Sequence, residues 1–262
     1  VLIFFIPESP RWLLLHKNNL SEATKIMKRI NSEDYELEIE KIQESNDKMA
    51  GEGKLFIREN AKPILLALCF ALFNQLSGIN AIIYYAPRVF EMAGLGSQSS
   101  LLSTVGIGVI NFIFTLVAIN FIDKVGRKKL MLVGSLGLIV SLALVSQAFY
   151  TGQTTGFAIT IYLMSFIAFF AFSQGAVIWV FISEIFPNDV RAKGQTFGSL
   201  THWVMAAIIT FCFPALTDIL GGGGTFLMFA LFMVLQLIYV VKFMPETKGR
   251  SLEDMGQTIN LH

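Results

Sequence analysis

Apolar residues fall along this chain in long unbroken blocks, not in the short alternating runs of a half-exposed sheet or the one-sided stripes of a surface helix. A helix needs about 20 apolar residues to cross the hydrocarbon core of a bilayer. Six stretches are long enough, running roughly over Pro63–Tyr85, Leu101–Ile122, Leu130–Phe149, Phe157–Phe181, Thr196–Leu216 and Thr225–Phe243. Lys, Arg, Asp and Glu occur only at their fringes, where Glu184 and Lys242 lie at or just beyond the ends. Strands facing lipid would leave backbone groups unpaired, so the pattern predicts six transmembrane helices and an all-α membrane protein.

The polar blocks between them differ in charge. Residues 7–62 hold ten Lys/Arg, residues 123–129 four, residues 188–195 two and the tail from Lys242 three. Residues 86–100 hold only Arg88, and 150–156 and 217–224 hold none. Basic and neutral blocks alternate, so the positive-inside rule puts the basic side, with both termini, in the cytoplasm. Residues 7–62 form a long segment that also carries eleven acids, but the short loops by themselves give nine against one. Within that segment, Ser21 before Glu22-Ala23-Thr24-Lys25 reads as an N-cap, with Ile26, Met27 and Ile30 as the apolar side of a short helix. Tyr35, Leu37, Ile39 and Ile42 suggest a second. Three or four short helices at the membrane surface are expected, against the alternative of a solvated charged linker. Gly221–Gly224 reads as a flexible outer turn.

Composition narrows the classes. The chain is 54% hydrophobic and 15% charged, where a soluble domain carries about 25% charge. Mean hydropathy is +0.61. A formal net charge of +1 points to no nucleic acid or other polyanion. Cys69 and Cys212 lie inside apolar runs and read as packed thiols, without a disulfide framework or metal site. The glycine run lacks the Lys and Ser/Thr of a phosphate loop, and no nucleophile–base pair or metal cluster stands out. Neither an enzyme, an ATP-driven pump nor a cofactor is indicated.

Pro7-Glu8-Ser9-Pro10-Arg11 and Pro245-Glu246-Thr247-Lys248-Gly249-Arg250 each follow an apolar run. Two similar exits suggest two equivalent half-molecules. On that reading residues 1–6 end a preceding transmembrane helix, 7–62 form a cytoplasmic helical linker, 63–244 the six-helix bundle and 245–262 a cytoplasmic tail.

Pro7–Arg11, Gln75–Tyr85 (QLSGINAIIYY), Asp123–Lys128 (DKVGRK), Ser183–Pro187 (SEIFP) with Arg191, and Pro245–Arg250 stand in the order found in the sugar-porter family of the major facilitator superfamily, which the whole chain resembles. That family includes facilitative glucose transporters and bacterial xylose–proton symporters. The resemblance implies the C-terminal six-helix bundle of a major facilitator fold, preceded by short cytoplasmic helices. It implies alternating-access transport of a hexose or pentose across the cell membrane, with an N-terminal six-helix half as partner. A transport-inactive half or a sugar-sensing membrane protein of the same fold is the alternative. No Asp or Glu lies deep in any predicted span, which fits facilitated diffusion or a symporter whose proton-binding acid lies outside this chain.

The first predicted span carries Asn74, Gln75, Asn80, Tyr84 and Tyr85. Polar groups at membrane depth face a bundle interior or a cavity, or serve as glue between helices. Asn80 and Tyr84 share a helical face that Gln75 does not, and Gly78 offers a place to unwind and join them. Amides suit sugars because each offers donors and an acceptor to a hydroxyl pair. Gln75 and Asn80 match the family's sugar-binding amides, and Asn74 stands where the family commonly has a second Gln. Asn111 matches a further sugar contact. Phe170 and Trp179 fall where family aromatics line the site, with an interfacial belt as the other reading of Trp179. The family's prolines before this Trp are absent from Gly175–Trp179. His202 and Trp203 stand where the family has Asn or Gln before Trp; a packed neutral histidine is equally open. Glu8, Arg11, Asp123, Arg127, Glu184, Arg191, Glu246 and Arg250 match charges that link helix ends and the two halves when the inner gate is shut, the alternative being ordinary helix-end solvation.

Overall fold

A computed structural model describes residues 7–15, 17–30, 35–37, 39–40, 42, 53–152 and 156–249. The chain divides into two compact units, Val1–Lys54 with Asn188–Val190, and Leu55–Pro187 with Arg191–His262. Arg250 lies outside the described residues.

In the smaller unit, α1 (Pro10–Leu15) and α2 (Leu20–Ile30) pair through a small core of Leu13, Leu14, Ala23, Ile26 and Met27, joined by Ile39 and Ile42. These side chains are buried, while much of the rest of the 7–62 segment lies outside the described residues. The cap of α2 is Asn19, two residues before the expected Ser21. Its Oδ1 accepts the N–H of Glu22 at 3.2 Å, and its Nδ2 donates to the Glu22 carboxylate at 3.1 Å. The reciprocal pair satisfies the first turn better than a lone hydroxyl.

All regular secondary structure among the described residues of the larger unit is helical. Its helices are α3 (Ala61–Leu76), α4 (Ile79–Tyr84), α5 (Ala86–Met92), α6 (Ser97–Val125), α7 (Arg127–Thr151), α8 (Gly156–Phe170), α9 (Ala176–Glu184) and α10 (Arg191–Lys242). A π-helical turn, Ala171–Gly175, joins α8 to α9 into a single apolar rod. Among the described residues five rods are long and apolar enough to cross a bilayer. The last holds 52 residues, about 78 Å at helical rise and more than twice the hydrocarbon thickness. It is two helices meeting at Gly221, whose φ of 68° and ψ of 170° leave the helical region. That gives the six expected crossings.

The expected flexible turn at Gly221–Gly224 is instead a one-residue corner. Ser146 Oγ donates to the Gly223 carbonyl at 2.7 Å. A Cβ on Gly222 would come within 2.9 Å of the Phe149 ring, so the rings of α7 lie directly on glycine backbone. Phe166, Phe213, Phe226 and Phe229 fill the bundle core beside it.

Candidate functional site

The first crossing is broken where its polar residues lie. α3 ends at Leu76, Gly78 takes φ 83°, and α4 starts at Ile79. Only glycine adopts this left-handed conformation without steric cost. Backbone groups freed by the break are satisfied locally: Ser77 Oγ donates to the Asn74 carbonyl at 2.6 Å, Ser77 N–H to Phe73 O at 3.1 Å, and Gly78 N–H to Gln75 O at 2.9 Å. Such satisfaction is what permits irregular backbone at membrane depth. The unwinding brings Gln75 and Asn80 together, Asn80 Nδ2 donating to Gln75 Oε1 at 2.9 Å.

A cavity of about 210 Å³ opens at this break. Asn74, Gln75 and Asn80 line it from the first crossing, Asn111 from α6, Phe170 and Trp179 from the two ends of the π turn, and His202 from α10. Seven of the nine expected substrate-site residues are thus brought to one wall. Gln75 is fully buried and engaged on both ends. Its Nε2 donates to Asn74 Oδ1 at 3.1 Å and lies 3.2 and 3.3 Å from the two ring nitrogens of His202. Asn74 Nδ2 in turn reaches the Gln174 carbonyl at 3.4 Å. The Trp179 and His202 ring centroids are 4.9 Å apart.

Tyr84 and Trp203 do not line the cavity and are 61% and 58% exposed. The wall of α4 is Ile79, Asn80 and Ile83, which leaves Tyr84 on the flank. Trp203 follows His202 by 100° of helix, so it turns aside when His202 points in. Thr115 and Ile178 also line the cavity. Thr115 was legible as the residue four after Asn111. The other omission is a buried amide chain: Gln174 Nε2 donates to Gln236 Oε1 at 2.8 Å, and Gln236 Nε2 to Ser135 Oγ at 3.3 Å. Lone amides in apolar runs were the available signal.

The charged ends of the larger unit meet at Arg127. Its Nη2 donates to Glu184 Oε1 at 2.7 Å and to Asp123 Oδ1 at 3.0 Å. Thr247 Oγ1 donates to the other Glu184 oxygen at 2.6 Å. Glu246 accepts the N–H groups of Arg127, Lys128, Thr247 and Lys248 at 2.9–3.1 Å. Arg191 donates to the Phe186 carbonyl at 3.2 Å. Glu8 and Arg11 belong to the smaller unit.

Six apolar crossings around an uncharged cavity of amides and aromatic rings define a multi-spanning helical membrane protein. The chain belongs to the sugar (and other) transporter family, matching it over residues 1–258. It is 37% identical over 258 residues to the arabinose-proton symporter of Bacillus subtilis, covering 97% of this chain and 55% of that one. It is 39% identical over 258 residues to the glucose transporter GlcP of Staphylococcus epidermidis, covering 97% and 57%. Its fold matches the solved major facilitator proton:xylose symporter XylE bound to 6-bromo-6-deoxy-D-glucose with a TM-score of 0.83 at 33% identity, covering 98% and 55%. The chain thus spans little more than half the length of the relatives it matches.

Proposed function

We propose that this chain is the C-terminal half of a transporter that moves a monosaccharide, a hexose or pentose, across the cell membrane by alternating access. The observation that carries the reading is the uncharged cavity where the broken first crossing meets the π turn. A sugar offers hydroxyls around a ring with an apolar C–H face. Asn80 and Asn111 take hydroxyls, buried Gln75 backs them through its bond to Asn80, and Trp179 with Phe170 packs the C–H face. Asn74 and His202 complete the wall. Arabinose, glucose and xylose appear in the names of similar proteins, which supports a monosaccharide.

Asp123, Arg127, Glu184 and Glu246, with Glu8, Arg11, Arg191 and Arg250, form the latch of the cytoplasmic gate in this reading. A charge network that closes in one state and opens in the other biases a two-state equilibrium. The loop charges support cytoplasmic termini. The limited coverage of the relatives' length supports an N-terminal six-helix half as partner.

The test is uptake of labelled hexoses and pentoses by cells expressing the chain alone and together with an N-terminal half. Uptake is expected only in the second case, and Gln75→Ala should lower it roughly tenfold or more, because its partners Asn74, Asn80 and His202 are left unpaired in a desolvated wall. Unchanged uptake and affinity in Gln75→Ala would sink the site assignment.

A further inference from the structure

We propose that neutral His202 is a positioning residue: it holds the Gln75 amide in the orientation that lets the cavity bind sugar, and taking up a proton switches the site off. The inference rests on the sugar-binding reading above. It follows from a chain of hydrogen bonds whose direction is fixed at one end. The Gln174 backbone carbonyl can only accept. Asn74 donates its Nδ2 there, so its Oδ1 turns to Gln75 and accepts Nε2 at 3.1 Å. Gln75 Nε2 also lies 3.2 and 3.3 Å from the two ring nitrogens of His202, a near-equal spacing that puts the amide over the ring face and not on an in-plane lone pair. The face of a neutral imidazole receives an amide N–H, and the face of an imidazolium repels it. On its other side Gln75 Oε1 accepts Asn80 Nδ2 at 2.9 Å, which leaves Asn80 its Oδ1 and one N–H for a ligand.

Protonating the ring sets its positive charge against the N–H of the Gln75 amide above it. Gln75 is fully buried, so water does not take the lost contact. Turning its amide over relieves the ring but sets oxygen against oxygen at Asn74 and N–H against N–H at Asn80. Asn74 cannot follow, because its own oxygen would then face the Gln174 carbonyl. Asn80 can follow only by reversing the face it shows the cavity. The switch therefore runs from the imidazole to the polarity of the sugar-facing amide.

No carboxylate and no cation lines the cavity to offset the new charge. The helices packed around the ring carry Lys62 and Cys69 on α3, Tyr84 on α4, Asp123 and Lys124 on α6, and Glu184 on α9. On α10 itself they are Arg191, Lys193, Cys212, Asp218, Tyr239 and Lys242, and none of these groups is in the wall.

The test measures sugar affinity between about pH 8 and about pH 5 in lipid nanodiscs, using the chain together with its N-terminal half. Affinity should weaken roughly tenfold or more as pH falls. Fluorescence of Trp179 and Trp203, whose rings lie 4.9 and 5.2 Å from His202, should change over the same interval without sugar. His202→Gln keeps an acceptor but cannot titrate, so whatever its affinity, it should lose this pH slope. A flat wild-type affinity overturns the inference. So does the same slope in His202→Gln, as a titrating acid elsewhere would produce. Absence of sugar binding at every pH overturns the proposed function itself.

Discussion

Glu246 accepts the backbone N–H of Arg127 at 2.9 Å, closing the first turn of α7 from 119 residues further along the chain. Its second oxygen takes the Lys128 N–H at 3.1 Å. The carboxylate thus satisfies two of the four orphan donors of the helix start and meets the positive end of its dipole. Glu246→Gln should lower stability by about 1 kcal/mol, read as a drop in thermal midpoint by circular dichroism in detergent. Gly126→Ala should cost more, since its Cβ would lie 2.6 Å from the Glu246 carboxylate at a φ of +95°. A Gly126→Ala protein as stable as the parent would contradict this docking.

Arg127 and Glu184 form a pair with side chains only 9% and 17% exposed. At that burial the pair is little screened by water, and removing Glu184 leaves the Arg127 guanidinium only the exposed Asp123 carboxylate and the Ile122 carbonyl. Glu184→Ala alone should destabilise by about 3 kcal/mol. Removing Arg127 as well should cost clearly less than the sum of the two single changes. A double-mutant cycle on unfolding midpoints gives the coupling; one below about 0.5 kcal/mol would place the pair with ordinary surface bridges.

Gly78→Ala meets two obstacles. The new Cβ would come 2.6 Å from the Phe229 ring, and φ is +83°. Backbone strain alone costs about 1–2 kcal/mol, and overpacking adds about 1–3 kcal/mol. Phe229→Leu in the same chain should recover part of the steric cost and none of the backbone cost. Folded yield and thermal midpoint measure both. A Gly78→Ala protein that folds normally would show that α3 and α4 can join into a straight helix.

The six crossings were legible because hydropathy at this length leaves one answer, a membrane helix. The break at Gly78 was legible too, since glycine among clustered amides marks where backbone can leave the helix. Local contests were harder to read. Asn19 took the cap from Ser21 because the Glu22 side chain could answer it, a reciprocity that propensity at one position does not carry. The glycine run is ordered because Phe149 and Tyr150 of another crossing press on it, a contact between distant parts of the chain. Tyr84 and Trp203 show the limit of helical periodicity: a face shared with Asn80 or a neighbour in His202 does not say how wide the cavity is. The π turn was not foreseen, since nothing in Ala171–Gly175 announces an extra residue per turn.

The corner at Gly221 has a consequence for biosynthesis. Residues 191–242 form one helical tract with a single non-helical residue between two crossings. No polar loop separates them, so the last two crossings enter the bilayer as a closed hairpin. Between Lys193 and Lys242 the hairpin carries a single charge, Asp218, which is met by Arg88 at 3.3 Å. Carrying one aspartate across costs about 2.5–3.5 kcal/mol even at the helix centre, far less than the two apolar arms return. The tip of the hairpin can be pulled through by its own arms.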